Sequence, residues 1–106
     1  MLRNFSFVIK NQLAGCALPG YWDDLEEDLS DMRREGIGAI VSLTEYSLDA
    51  KTVRNAGMAY LHLPIEDFGP PTIEQIREFC EFCRQQIEER HTAVVAHCYA
   101  GRGRTG

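Results

Sequence analysis

Apolar residues in this chain recur with two different periods, and the switches between them mark out the elements. Phe5, Phe7 and Ile9 alternate with polar neighbours, the period of a strand. Lys10-Asn11 suits a turn, after which Gln12 to Cys16 can pair back as a second short strand, until Leu18-Pro19-Gly20 breaks the pattern. Trp22, Leu25, Leu29 and Met32 then recur at three- and four-residue steps and share one helix face. Asp23 and Asp24 fall in the first turn of that helix and Arg33 and Arg34 in its last, as the helix dipole favours. Gly36 stops it. Ile37 to Leu43 is a nearly continuous apolar run, the signature of a buried strand.

The second half repeats this alternation. Ser47 to Asn55 reads as a short helix ending at Gly57, and Ala59 to Leu63 as a strand closed by Pro64. Thr72 to about Glu89 predicts a longer helix. Thr72 can cap it, Gln75 completes a capping box, and Pro70-Pro71 blocks extension upstream. Ile73, Ile76, Phe79, Cys80, Cys83 and Ile87 form its apolar stripe. Ala93-Val94-Val95-Ala96 is a compact buried strand that runs directly into His97-Cys98. Strands alternating with helices predict an α/β fold with a mainly parallel central sheet flanked by helices. Ligands of such sheets sit beyond the carboxyl ends of the strands. Cys98 falls at such an end.

With 106 residues the chain is one small domain. Its 44% hydrophobic and 25% charged composition is that of a soluble globular protein. No apolar run approaches the ~20 residues of a membrane span, and the start lacks a signal-peptide block. A cytoplasmic protein, also compatible with the nucleus, is expected. The net charge of −5 argues against general nucleic-acid binding. Arg102 and Arg104 nonetheless stand together without a neighbouring acid, which suits a small anion. The four cysteines, Cys16, Cys80, Cys83 and Cys98, read as thiols of a reducing compartment.

The chemistry concentrates in His97-Cys98-Tyr99-Ala100-Gly101-Arg102-Gly103-Arg104-Thr105-Gly106. A cysteine attacks as thiolate, so Cys98 needs its acidity raised by its surroundings. A tight loop of successive inward N–H groups makes an anion nest, and Gly101 and Gly103 permit the close approach it demands. The Arg104 guanidinium offers a planar fork for two phosphate oxygens, and the Thr105 hydroxyl can donate toward the Cys98 sulfur.

This segment resembles the signature loop of the cysteine-based protein phosphatases, and the chain from Phe5 through Leu13-Ala14-Gly15 and Leu18-Pro19 to Gly106 looks like a small atypical dual-specificity phosphatase. The resemblance implies a phosphotyrosine-phosphatase-like fold. It makes Cys98 the nucleophile, Arg104 the phosphate-binding cation and His97 the residue that tunes the cysteine. Tyr99, Ala100, Gly101, Arg102, Gly103 and Arg104 would line the phosphate site. It also implies a general acid on a loop upstream. Asp67, 31 positions before Cys98 and directly after a strand, is the candidate, with Glu66 the runner-up. The implied reaction is hydrolysis of phosphotyrosine, phosphoserine or phosphothreonine on a protein or peptide, through a phosphocysteine intermediate, with no metal or other cofactor. A phosphoinositide substrate is the alternative that Arg102 keeps open and Tyr99 weakens. A non-catalytic phosphate-binding module is the alternative from another class. On the family's pattern the chain would be the N-terminal part of one domain spanning 1–106, lacking the C-terminal helices, and this fragment alone would turn over little.

Several features are expected to carry no chemistry. Gly101-Arg102-Gly103-Arg104-Thr105-Gly106 fits a dinucleotide fingerprint without the following helix or acid. Asp67-Phe68-Gly69 matches a kinase tripeptide without the other kinase motifs. Cys80 and Cys83 sit on a helix stripe and read as core packing rather than zinc ligands. His62 and His91 read as structural.

Overall fold

The computed structural model describes residues 2, 4–21, 23–65 and 70–99. Among these residues five strands form one sheet: β1 (Ser6–Ile9), β2 (Leu13–Cys16), β3 (Ile37–Ser42), β4 (Ala59–His62) and β5 (Ala93–His97). Their spatial order is β1-β2-β5-β3-β4. The β1–β2 pair is an antiparallel hairpin, and β2–β5, β5–β3 and β3–β4 are parallel. The expected mainly parallel sheet is therefore present, with one antiparallel strand at its edge.

Three helices connect the parallel strands: α1 (Leu25–Arg34), α2 (Ala50–Asn55) and α3 (Ile73–Arg84). A π-type turn over Gln85–Glu89 extends α3 toward β5. On one face of the sheet Leu29 and Met32 of α1 and Val53 of α2 pack with Ile40 and Val95. Each such large side chain removed from water contributes about 1.5–3 kcal/mol. On the other face Phe79, Phe82, Cys83 and Ile87 lie over Val41, Val94 and Ala96. Strands β3 and β5 thus feed both cores, which is why they read as unbroken apolar runs rather than as alternating ones.

Helix boundaries are tighter than periodicity predicts. Asp24 is the N-cap of α1, so its first-turn acids are Glu26, Glu27 and Asp28 and not Asp23 and Asp24; Trp22 lies outside the described residues. Gly36 takes φ +86° just past the helix, a conformation that favours glycine over side chains bearing Cβ. Helix α2 starts at Ala50, because the Asp49 side chain accepts from the Lys51 and Thr52 amides and fixes the cap there. The capping box of Thr72 and Gln75 forms as expected. The α3 stripe is displaced: Ile73, Ile76 and Cys80 are exposed, and the half-buried edge runs instead through Phe79, Phe82 and Cys83. Cys80 therefore does not pack in the core, whereas Cys83 does.

Gly38 illustrates how closely β3 and the entry to β5 approach. A Cβ at this position would collide with the Thr92 side chain. The β3–β5 register shifts between Ile37 and Ala39 at the same place.

Candidate active site

Strand β5 is central, flanked by β2 and β3, and Cys98 follows its last residue. The expected nucleophile thus sits at the carboxyl end of the middle strand, where open α/β sheets bind ligands. It is 4% exposed.

Three successive carbonyls around Cys98 are held by donors from three directions. Leu43 N–H donates to His97 O at 2.9 Å, His97 Nδ1 lies 3.1 Å from Cys98 O, and Leu18 N–H donates to Tyr99 O at 3.1 Å. In a trans peptide the C=O and the following N–H point oppositely. Pinning the Cys98 carbonyl onto His97 therefore turns the Tyr99 N–H the other way.

The same contact settles the state of His97, which is fully buried. A carbonyl can only accept, so Nδ1 carries the proton and Nε2 presents a lone pair. That lone pair accepts from Ser42 Oγ at 2.6 Å. Ser42 Oγ accepts from the Tyr60 hydroxyl at 2.7 Å, and the Tyr60 oxygen accepts from Leu48 N–H at 2.9 Å. Ser47 Oγ stands 3.0 Å from the same hydroxyl. The donors all run one way, from the loop after β3 inward to the imidazole. Burial pushes the His97 pKa down to about 4, against the opposing hydrogen bond to the Cys98 backbone, and His62 pushes it further down. The ring is neutral at physiological pH.

Neighbouring groups complete the surroundings. Cys16 lies opposite His97 in the β2–β5 register. Its thiol is pushed up to about 12, first by burial and then by Asp28 and Cys98. Asp28, buried on α1, accepts from Gly20 N–H at 2.8 Å through Oδ2 and so anchors the loop after β2. His62 Nε2 donates to Thr44 O at 2.7 Å, which is the structural use expected of it. His91 is exposed with φ 54°. The four cysteines form no disulfide.

Of the residues expected from the sequence, the structure describes His97, Cys98 and Tyr99, and brings them together at one strand end. Asp67, Glu66, Ala100, Gly101, Arg102, Gly103, Arg104 and Thr105 lie outside the described residues. Ser42 and Tyr60 escaped the sequence reading. A serine inside the Ile37–Leu43 run was the available signal, since a hydroxyl in a strand buried on both faces needs a partner. Among the described residues no three His, Cys, Asp or Glu side chains are grouped to hold a metal ion. No helix among them is long and apolar enough to cross a membrane.

This sheet order and strand-end cysteine define a protein of the tyrosine-phosphatase fold, and solved structures agree. A crystal structure of a mutant form of Tk-PTP superposes with TM-score 0.78 and 27% identity, covering 95% of this chain and 64% of that one. A profile described as "Polymorphic toxin system, DSP-PTPase phosphatase" matches residues 14–106, and the chain belongs to that family. Among curated relatives, the tyrosine-protein phosphatase cdcA of Emericella nidulans is 27% identical over 78 residues, which are 74% of this chain and 13% of that protein. The human dual specificity protein phosphatase CDC14C is 31% identical over 74 residues, 70% of this chain and 16% of that protein. The chain thus spans a small part of the length of these two relatives.

Proposed function

We propose that this chain is a cysteine-dependent phosphatase domain that hydrolyses phosphotyrosine, phosphoserine or phosphothreonine on proteins, and that it serves a system of the polymorphic-toxin kind that its family is named for. The observation that carries the reading is Cys98 at the end of the central strand, with its own carbonyl and those on either side tied back by His97, Leu43 and Leu18. Such anchoring prepares a backbone to receive phosphate oxygens before substrate arrives, and preorganised donors are the largest source of rate in acyl and phosphoryl transfer.

In the first step the Cys98 thiolate attacks phosphorus and the P–O bond to the substrate breaks, while Asp67 gives its proton to the departing oxygen. Arg104 and the amides from Tyr99 to Arg104 hold the equatorial oxygens, with Arg102 adding a second cation. In the second step water attacks the phosphocysteine and passes a proton to the Asp67 carboxylate. The sulfur leaves as thiolate, assisted by the Thr105 hydroxyl, and inorganic phosphate is released. His97 acts on this sequence from behind by orienting the Cys98 peptide.

The names of the relatives favour phosphoproteins over phosphoinositides. The test is phosphate release by the intact protein, wild type against Cys98→Ser, over phosphopeptides and phosphoinositides. Loss of turnover in Cys98→Ser, with peptides preferred by the wild type, is expected. Equal rates in the two proteins would remove Cys98 from the mechanism.

A further inference from the structure

A cavity of about 340 Å³ opens beside Cys98 at the carboxyl edge of the sheet. Its walls come from the segments that follow three adjacent strands. Leu18 and Tyr21 follow β2, Tyr46, Ser47 and Leu48 follow β3, and Tyr99 follows β5. Because β5 lies between β2 and β3, the cavity is gathered around the strand that presents the cysteine. The Leu18 N–H to Tyr99 O bond joins two of its walls directly. Tyr99 is bonded to Cys98, so the cavity begins one residue from the expected nucleophile.

The chemistry of the walls is distinctive in an acidic protein. Among the described residues no Asp, Glu, Lys, Arg or His contributes to the lining. Three tyrosines do, and Tyr46 is 79%, Tyr21 66% and Tyr99 48% exposed. Large rings held this open to water present apolar faces and hydroxyl tips, the composition that dominates recognition sites. Against these described walls a charged side chain would lose hydration without gaining an ionic partner, whereas an apolar or aromatic one would gain burial.

We infer that this tyrosine-walled cavity is a specificity subsite that takes an uncharged apolar or aromatic side chain lying within two residues of the phosphorylated residue. The inference rests on the phosphatase reading above and adds to it the class of protein segment that is recognised. Reach is consistent with it. Successive Cα atoms are ~3.8 Å apart, so a residue one or two places from the phosphorylated one spans the short step from Cys98 past Tyr99.

The experiment uses the intact protein and three probes: p-nitrophenyl phosphate, which has no flanking residues; phosphotyrosine peptides scanned with Leu, Phe, Ala, Asp and Lys at the two positions on each side; and a soluble phosphoinositide. At one or more flanking positions kcat/KM is expected to be roughly tenfold or more higher for Leu or Phe than for Asp or Lys. Tyr46→Ala is expected to shrink that ratio several-fold. Tyr21→Ala gives the same readout should the first variant fail to fold. Hydrolysis of p-nitrophenyl phosphate with no flank preference, or with charged flanks preferred, overturns the subsite and leaves the phosphatase reading standing. A phosphoinositide turned over faster than every peptide also overturns it. No hydrolysis of any probe would sink the phosphatase reading and the subsite with it.

Discussion

Ser42 Oγ lies 2.6 Å from His97 Nε2, so a hydroxyl on β3 serves the imidazole that precedes Cys98 on β5. The two residues are 55 positions apart and meet because their strands are neighbours in register, with Ser42 opposite His97. Tyr60, on the next strand, donates to Ser42 in turn. The expectation that His97 tunes the cysteine therefore acquires a physical route, in which orientation is passed from Tyr60 through Ser42 to the Cys98 carbonyl.

That route predicts a graded response. Ser42→Ala leaves the buried Nε2 lone pair without its donor, at a cost of about 1–3 kcal/mol in stability. It also removes a bond that favours the neutral ring, so the His97 pKa should rise from its depressed value. Tyr60→Phe should act in the same direction and more weakly, because Ser42 can still donate. Proton NMR titration of the His97 ring and the acid limb of the kcat profile check this, and both should move toward neutral pH in the order wild type, Tyr60→Phe, Ser42→Ala. An unmoved His97 titration in Ser42→Ala would reduce the serine to simple packing.

Stability should itself depend on pH through His97. Its folded pKa of about 4 lies below the ~6.5 of an unfolded histidine. The unfolded chain therefore takes up the proton first as pH falls. The contribution is complete above about pH 6.5, declines between 6.5 and 4, and is flat below. At about 1.4 kcal/mol per pH unit the gap corresponds to about 3 kcal/mol. Urea denaturation at pH 7.5, 6 and 5 should show about two thirds of this loss in the wild type and a shallower one in His97→Gln. Parallel slopes would mean that His97 is not the group responsible.

Much of this architecture was legible because the cues were local and strong. The His97-Cys98 strand end, the Thr72–Gln75 cap and the unbroken runs of β3 and β5 each rest on chemistry within a few residues. What escaped was non-local. The rotation of α3, which exposes Ile76 and Cys80 and sets Phe82 against the core, depends on where the helix lands on the sheet, and a stripe read from one chain segment does not specify that. Ser42 was absorbed into an apolar run because its partner lies on another strand. Asp28 escaped likewise: it is buried and receives the Gly20 amide from a loop that precedes its helix.

The cysteines should separate cleanly by reactivity. Cys80 is exposed, whereas burial pushes the Cys83 thiol up to about 11, with Cys80 adding to the effect. Cys16 is higher still, at about 12. Thiolate is the reactive form, so iodoacetamide at pH 7.5 should label Cys80 before Cys83, and Cys16 only on unfolding. Peptide mapping by mass spectrometry reads the order directly. Early labelling of Cys16 would contradict its enclosure between β2, Asp28 and the Cys98 strand end.

Gln75 ties the start of α3 to the end of the β4 segment. Its Oε1 accepts from Thr72 N–H at 2.9 Å while its Nε2 donates to Pro64 O at 2.7 Å, and Thr72 Oγ1 accepts from Gln75 N–H at 3.1 Å. One side chain thus closes the cap and fastens the backbone from which the chain runs on to Asp67. Thr72→Ala should cost about 1 kcal/mol as a lost cap. Gln75→Ala should cost more, about 1–2 kcal/mol, because the Pro64 carbonyl also loses its donor. Gln75→Glu separates the two roles, since a carboxylate still accepts from Thr72 but cannot donate to Pro64. If the tie to Pro64 matters for the proposed acid, kcat should fall several-fold in Gln75→Glu and Gln75→Ala and much less in Thr72→Ala. Equal kcat across all three, with stability following the cap alone, would confine Gln75 to helix capping.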